Sequence, residues 1–248
     1  MGKIIEGNVD LRKLHLTELF DLSDVEVIGS FSCRDNDLTS LRGAPHTVIG
    51  YFYCCYNNLT SLEGGPQTVG GTFNCSDNSL TSLEGCPHTV GLGFYCQHNN
   101  LTSLEGSPHT VGGDFYCSNN NLTSLAGAPH TVGGDFYCFN NDLTNLKGAP
   151  HTVGSYFNCS DNSLTSLEGS PHTVGKSFYC FNNDLTNLKG SPHTVGRNFN
   201  CSGNNLTSLE GIPKTVDGIF YIDEVLEDKF PEEYIRSLCK IKGDVVYV

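Results

Sequence analysis

The sequence predicts a mostly β fold of the solenoid class, in which near-identical coils stack on one another. One pattern recurs along the chain with a fixed period of 21 residues, and periods of about 20–50 residues are typical of stacked repeats. The start of each unit alternates apolar and polar residues, which indicates a short strand. The rest of each unit is rich in Gly and Pro, which disfavours a helix. Phenylalanine opens the units at Phe31, Phe52, Phe73, Phe94, Phe115, Phe136, Phe157, Phe178, Phe199 and Phe220.

The unit at residues 115–135 shows how a coil is built. Phe115 and Cys117 are predicted to point into the core, while Tyr116 and Ser118 point outward, because successive strand side chains alternate between faces. The far side of the coil is predicted to be extended or turn-like. Since the coils have equal length, their strands must lie parallel and in register. The remaining core positions are Leu122, Leu125 and Val132.

Two further slots of the repeat predict structural roles. An Asn lies five residues after the Phe in every unit, from Asn36 to Asn204, and can bond the backbone of its own turn and that of a neighbouring coil. A Cys lies two residues after the Phe in nine units, from Cys33 to Cys201. Such a ladder is expected to be reduced and buried, since free Cys packs as a small apolar residue.

The chain is divided into three segments. Residues 1–30 are predicted to be an N-terminal cap with a degenerate repeat, in which Leu14 replaces the Asn. Residues 31–219 hold nine 21-residue repeats. Residues 220–248 are predicted to be a C-terminal cap of strand, helix and strand, with Pro231 and two acids at the start of the helix.

The motif resembles that of a known family. Read from Val132, the string Val-x-x-x-Phe-x-Cys-x-x-Asn-x-Leu-Thr-x-Leu resembles the leucine-rich repeat signature, with Phe and Cys in two of the usual Leu positions. The Leu-Thr-Ser-Leu turn followed by Pro is similar to the repeats of secreted bacterial ubiquitin-ligase effectors, without their catalytic domain. The Phe-Tyr-Cys strand together with this turn resembles leucine-rich repeat proteins of tailed bacteriophages. The resemblance covers roughly residues 8–248. It implies a leucine-rich repeat solenoid with a parallel β-sheet on the concave face, a helix-poor convex side and a short C-terminal capping helix.

Composition narrows the classes of function. A net charge of −13 with only 14 Lys and Arg argues against binding to nucleic-acid phosphates. No apolar run reaches the length of a membrane helix, and residues 1–6 lack the layout of a secretory signal, so we expect no membrane partner and a cytoplasmic location. The phage resemblance implies the cytoplasm of the bacterial host. No catalytic motif or metal-ligand spacing is present, so the sequence predicts neither an enzyme nor a cofactor.

The outward strand positions predict a protein-binding face. The position after each Phe is mostly Tyr or Asn, and the position three after it runs from Arg34 through Cys55 and several Ser to Phe139, Phe181 and Ser202. Tyr, Ser and Asn with a few bulky aromatics are typical of binding surfaces, although stacking of like residues also stabilises a sheet by itself. The residues predicted to bind a partner are Tyr51, Tyr53, Tyr56, Tyr95, Tyr116, Tyr137, Phe139, Tyr156, Tyr179 and Phe181.

Three other rows, one of His and two of Thr, have alternative interpretations. A His row could bind metal or sense pH, but no neighbouring row supplies further ligands, so a copied surface residue is the better account. The row comprises His46, His88, His109, His130, His151, His172 and His193. Thr rows from Thr39 to Thr207 and from Thr47 to Thr215 could bind ice or bond within turns.

The expected function is that of a non-catalytic protein-binding module. We expect it to be encoded by a phage and to bind a host or phage protein, for example a bacterial defence protein. The alternative is a structural or self-assembling virion-associated rod, which exposed strand edges would favour. An acidic mimic of nucleic acid and an ice binder rank lower. The partner's identity does not follow from the sequence.

Overall fold

The protein, described here for residues 3–248 of a computed structural model, is a parallel β-solenoid with two sheets of 12 strands each. The first two residues of the predicted N-terminal cap lie outside the described part of the chain. The predicted fold class is confirmed, because the structure is mostly β and consists of about twelve turns with one short α-helix. Every strand pairs in parallel with the equivalent strand of the next coil. Phe115, for example, lies opposite Phe94 and Phe136.

The first sheet, which we call the Phe sheet, contains the predicted strands. Its strands are Val9–Asp10, Phe31–Ser32, Phe52–Tyr53, Phe73–Asn74, Phe94–Tyr95, Phe115–Tyr116, Phe136–Tyr137, Phe157–Asn158, Phe178–Tyr179, Phe199–Asn200, Phe220–Ile222 and Val245–Tyr247. The ten strands that begin with Phe are thus extended by one strand at each end.

The second sheet, the Val sheet, was not predicted from the sequence. Its strands are Lys3–Ile5, Val25–Val27, Thr47–Val48, Thr68–Val69, Thr89–Val90, Thr110–Val111, Thr131–Val132, Thr152–Val153, Thr173–Val174, Thr194–Val195, Thr215–Val216 and Lys240–Ile241. The Val side chains enter the core, and the Thr side chains form an in-register row on the outside. A two-residue strand is too short to show alternation, so the sequence predicted only extended or turn-like backbone on the far side of the coil.

The core is a set of ladders between the two sheets. Adjacent Phe rings along the stack lie 5.2–5.7 Å apart between centroids, with interplanar angles of 24° or less. The Cys of each strand is buried and reduced as predicted. In most coils the Cys Sγ–H donates to a carbonyl oxygen of the next coil. The Cys96 Sγ, for example, lies 3.3 Å from the Tyr116 carbonyl oxygen.

The Asn slot closes the turn after each Phe strand. The Asn120 amide nitrogen donates to the carbonyl oxygens of Cys96 and Cys117, both at 3.1 Å. Its Oδ1 accepts from the Leu101 N–H at 3.0 Å. One buried side chain therefore joins two coils, which is the role that the sequence predicted for it.

Replacing Asn120 with alanine is expected to lower the free energy of unfolding by about 3 kcal/mol, because it leaves several buried backbone groups without a partner. Denaturant unfolding followed by circular dichroism measures the effect. The exposed neighbour Asn121 is the matched control, and its alanine variant should change stability by less than about 0.5 kcal/mol. Equal losses for the two variants would contradict the structural role of Asn120.

The two ends of the stack are closed differently. After Phe220–Ile222 the chain forms a 3-10 turn over Glu224–Leu226 and an α-helix over Glu232–Leu238, and then supplies the last strand of each sheet. Ile235 is the buried side chain of the helix. Arg236 donates to the carbonyl oxygens of Ile241 and Gly243 at 2.9 and 2.8 Å. At the other end, the first described strand of each sheet has one neighbour, and Val9 is only partly buried.

Candidate protein-binding face

The outer side of the Phe sheet brings most of the predicted site residues together. Because Phe and Cys point inward, the residue between them points outward in every coil. Tyr95, Tyr116 and Tyr137 follow one another in adjacent coils, with ring centroids 4.9 and 4.6 Å apart. The rings are partly exposed, so they form a continuous aromatic strip rather than part of the core.

A second group of aromatic residues continues this strip. The ring centroids of Tyr137 and Phe139 are 6.1 Å apart, and those of Tyr179 and Phe181 are 6.4 Å apart. In these pairs the ring planes are inclined to each other by 59° and 63°, respectively. The Tyr156 and Tyr179 rings are 6.3 Å apart and nearly parallel. We name the whole set the aromatic face. It consists of Tyr95, Tyr116, Tyr137, Phe139, Tyr156, Tyr179 and Phe181.

The three remaining predicted residues form a separate cluster nearer the N-terminus. The Tyr51 and Tyr53 rings are 5.9 Å apart. Tyr56 lies in the turn that follows, with a positive φ of 55°, and 56% of its surface is exposed. The coil of Phe73 and Asn74 carries no outward aromatic residue and separates this cluster from Tyr95.

The row that contains Phe139 is less exposed than the sequence predicted. Ser118 and Ser160 were expected to point into solvent, yet they retain only 3% and 1% of their exposure. Cys55 and Ser76 in the same row have no Phe beside them and are likewise only 3% exposed. Small side chains in this slot are therefore buried whether or not a large ring lies next to them. The alternation of large and small residues makes Phe139 and Phe181 ridges on the face.

Acids beside the tyrosines change the chemistry of the strip. Partial burial raises the pKa of Tyr137 to about 12, with Asp135 adding to the effect. Burial and then Asp114 also raise the pKa of Tyr116 and Tyr95. A phenol is already protonated at neutral pH, so the raised pKa extends to more alkaline pH the range in which these hydroxyls can donate hydrogen bonds to a partner.

The acids belong to a row that we call the corner row, of which the sequence analysis predicted only Tyr51 and Tyr156 as binding residues. It consists of the residue immediately before each Phe, at the bend between the two sheets. Asp114 Oδ1 accepts from the Asp135 N–H at 2.9 Å, and Asp135 Oδ1 accepts from the Tyr156 N–H at 3.1 Å. The signal in the sequence was a departure from the repeat, since most other coils have a neutral residue here.

Two cations lie at the same bend, further along the stack. Lys176 Nζ is 5.1 Å from the centroid of the Tyr156 ring, a distance typical of a cation–π contact. Arg197 Nη1 donates to the Tyr156 hydroxyl oxygen at 3.3 Å. Both cations follow a Gly and are exposed. The aromatic face thus has acids near one end and cations near the other.

The His row lies on the opposite side, next to the Val sheet. Its rings stack in pairs, with centroids 5.5 Å apart for His130 and His151 and 5.3 Å for His172 and His193. Within residues 3–248, no three His, Cys, Asp or Glu side chains are grouped as ligands of a metal ion. In the same part of the chain, no helix is long and apolar enough to cross a membrane.

Comparison with known proteins adds no family. No protein-family model matches the chain, and no curated protein matches it. Among solved structures, the chain is similar to YopM from Yersinia enterocolitica WA-314, with 17% sequence identity and a TM-score of 0.36. The match covers 88% of this chain and 65% of YopM. What can be said of function therefore depends on the solenoid itself and on the aromatic face.

Proposed function

We propose that the protein is a non-catalytic module that binds another protein through its aromatic face. The observation that carries the proposal is the presence on one sheet of two runs of partly exposed rings, one from Tyr95 to Phe139 and one from Tyr156 to Phe181. Tyr offers apolar area and a hydrogen-bond donor at low cost in side-chain entropy, and such residues dominate binding energy in protein interfaces.

Stacking between coils does not by itself account for Phe139 and Phe181. Their slot is occupied by Ser in the neighbouring coils, where the strand pairing and the Asn turn are the same. A Phe in this slot is therefore not required by the fold. Partly exposed Phe side chains that the fold does not require indicate a surface that another molecule covers.

Two parts of the proposal are supported by sequence resemblance alone. These are an origin in a tailed bacteriophage and a location in the bacterial cytoplasm. A phage protein acting there would bind a host or phage protein, and blocking a bacterial defence protein is one such use.

The test is affinity capture from bacterial lysate with a variant in which Tyr137, Phe139, Tyr179 and Phe181 are all changed to Ser. A partner bound by the wild type should be lost or weakened at least about 100-fold, since several central aromatic contacts disappear together. The matched control changes four exposed side chains on the other side, His109, His130, His151 and His172, to Ser. Circular dichroism should first show that both variants are folded. A partner that stays bound to the aromatic variant, or is lost only with the His variant, contradicts the proposal.

A structural rod is the second candidate, and the N-terminal end of the stack favours it. Both sheets end there on a strand with one neighbour, and Phe20 and Leu14 are 66% and 54% exposed. One feature of these edges opposes the rod. Ion pairs between Lys3 and Asp24 and between Asp10 and Arg12 lie there, and charged groups discourage pairing with further strands. Light scattering over a range of concentrations decides the matter: a strict monomer argues against the rod.

A further inference from the structure

The corner row shows what the fold requires at the bend. In most coils, a side-chain oxygen of this row accepts the N–H of the same position in the next coil. Asn8 accepts from Ser30 at 2.8 Å, and Asn198 accepts from Ile219 at 3.0 Å. Ser30 and Ser177 make the same bond through their hydroxyl oxygens. Where the bend uses an acceptor oxygen, an amide or a hydroxyl supplies it as well as a carboxylate. The coils with Tyr51, Gly93 and Tyr156 at this position form without such a bond.

The negative charges of Asp114 and Asp135 exceed this requirement. Each uses one oxygen, Oδ1, for the corner bond. The other oxygen of Asp114 lies 3.5 Å from the Tyr95 hydroxyl. Among the described residues, neither Asp has a Lys, Arg or His nitrogen within 4.0 Å. Two like charges in adjacent coils repel each other, so the fold alone would be better served by Asn at both positions.

The positive charges of Lys176 and Arg197 exceed the requirement of their slot in the same way. The equivalent residues are Gly113, Gly134 and Ser155 in the three preceding coils. In this slot the bond between coils is made by the backbone, since the Lys176 backbone N–H donates to the Ser155 carbonyl oxygen at 2.9 Å. Within residues 3–248, neither cation has a carboxylate oxygen within 4.0 Å. In a chain with a net charge of −13, two adjacent unpaired cations make a local positive patch.

The spacing between the charges is fixed by the stack. Asp114 lies three coils before Lys176, and Asp135 lies three coils before Arg197. With coils about 4.8 Å apart, each separation along the axis is about 14 Å. An extended peptide rises about 3.3 Å per residue, so about four residues cover this distance. Tyr137, Tyr156 and Tyr179 lie between the two ends.

We propose that the aromatic face binds an extended segment of a partner protein that lies along the solenoid axis. A Lys or Arg of the segment contacts Asp114 and Asp135, and an Asp or Glu about four residues away contacts Lys176 and Arg197. Apolar or planar side chains between them pack on the aromatic face. This inference rests on the proposed function, and it adds the chemistry and the orientation of the partner.

The test uses a library of random ten-residue peptides displayed on a surface and selected on the immobilised full-length protein. Peptides retained by the wild type should carry a basic and an acidic residue about four positions apart, with aromatic or apolar residues between them. Two neutral variants serve as probes of charge alone. Asp114→Asn with Asp135→Asn keeps the corner oxygens, and Lys176→Ser with Arg197→Ser places in both slots the residue found at Ser155.

Each neutral variant is expected to weaken the binding of a selected synthetic peptide by about tenfold or more, because interfacial charge pairs contribute both rate and affinity. Reversing the acids, with Asp114→Lys and Asp135→Lys, should select peptides with acidic residues in place of basic ones. Two outcomes would overturn this inference and leave the proposed function in place. In the first, the retained peptides carry no charge pair. In the second, the peptides bind both neutral variants fully and lose affinity only for the variant with Ser at Tyr137, Phe139, Tyr179 and Phe181. If the wild type retains no peptides beyond those retained by that Ser variant, this inference is overturned, and the lysate capture described above decides the proposed function.

Discussion

Replacing Phe136 with alanine is expected to lower the free energy of unfolding by about 3–5 kcal/mol. The ring is fully buried and lies 5.4 Å from both Phe115 and Phe157. Its removal opens a cavity in the middle of the ladder and takes a stacking partner from each neighbour. In a solenoid, stability is the sum of coil terms and of interfaces between adjacent coils. A central lesion therefore weakens two interfaces at once. Urea unfolding followed by circular dichroism measures the loss.

Phe139→Ala is the matched control, since it removes the same side chain three residues away in the same coil. Phe139 is partly exposed and stands in a slot where other coils carry Ser. Its loss should cost less than about 1 kcal/mol, which is typical of partly exposed positions. If Phe139→Ala proved as destabilising as Phe136→Ala, Phe139 would belong to the core, and its place in the aromatic face would be wrong.

The period and the inward residues of the fold could be predicted because each acts at a fixed position in every coil. A Phe every 21 residues requires coils of equal length, and equal coils stack in register. The Asn120 slot was predictable for the same reason, since a side chain that bonds its own turn must recur wherever the turn recurs. A residue that would indicate little in one coil becomes a clear signal when it occupies the same position in every coil.

The strands of the Val sheet could not be predicted in this way. Thr131–Val132 is two residues long and lies between a Pro turn and a Gly, so neither alternation nor length marks it as a strand. What makes it one is its neighbour, Thr152–Val153, which supplies the pairing. The available signal was a β-branched pair in the same slot of nine coils, a composition that strands favour.

The charges of the candidate site were missed for the opposite reason. Asp114, Asp135, Lys176 and Arg197 are departures from the repeat, so averaging over coils hides them. The burial of Ser118 was missed because a strand pattern gives the direction of a side chain but not how much of it the surrounding chain covers. In this chain the shared residues specify the fold, and the departures that the fold does not require are the best guide to a site.

The free energy of unfolding is also expected to fall steeply as the pH rises above about 9. Burial raises the pKa of the Cys33 thiol to about 12 and that of Cys117 well above 9.0, its value when exposed. All nine thiols of the Cys ladder are buried. Above pH 9 the unfolded chain releases these protons while the folded chain retains them, so the unfolded state is favoured. Each thiol contributes about 1.4 kcal/mol per pH unit. The ladder as a whole would then contribute about 12 kcal/mol per unit, which is comparable to the stability of a whole domain.

Cooperative unfolding is therefore expected between about pH 9.5 and 11, and it can be followed by circular dichroism together with the ultraviolet absorbance of thiolate. The stability conferred by the neutral thiols is fully present below pH 9, so acidification from neutral pH should not reproduce this loss. Cys117→Ala removes one titrating group, and the slope of stability against pH above 9 should decrease by about 1.4 kcal/mol per unit. The slope is diagnostic where the absolute stability is not, because the cavity left by the substitution lowers stability equally at every pH. A protein that remains folded at pH 12 with its thiols protonated would show that the ladder does not limit stability, and an unchanged slope in the variant would assign the alkaline loss to other groups, such as the tyrosines.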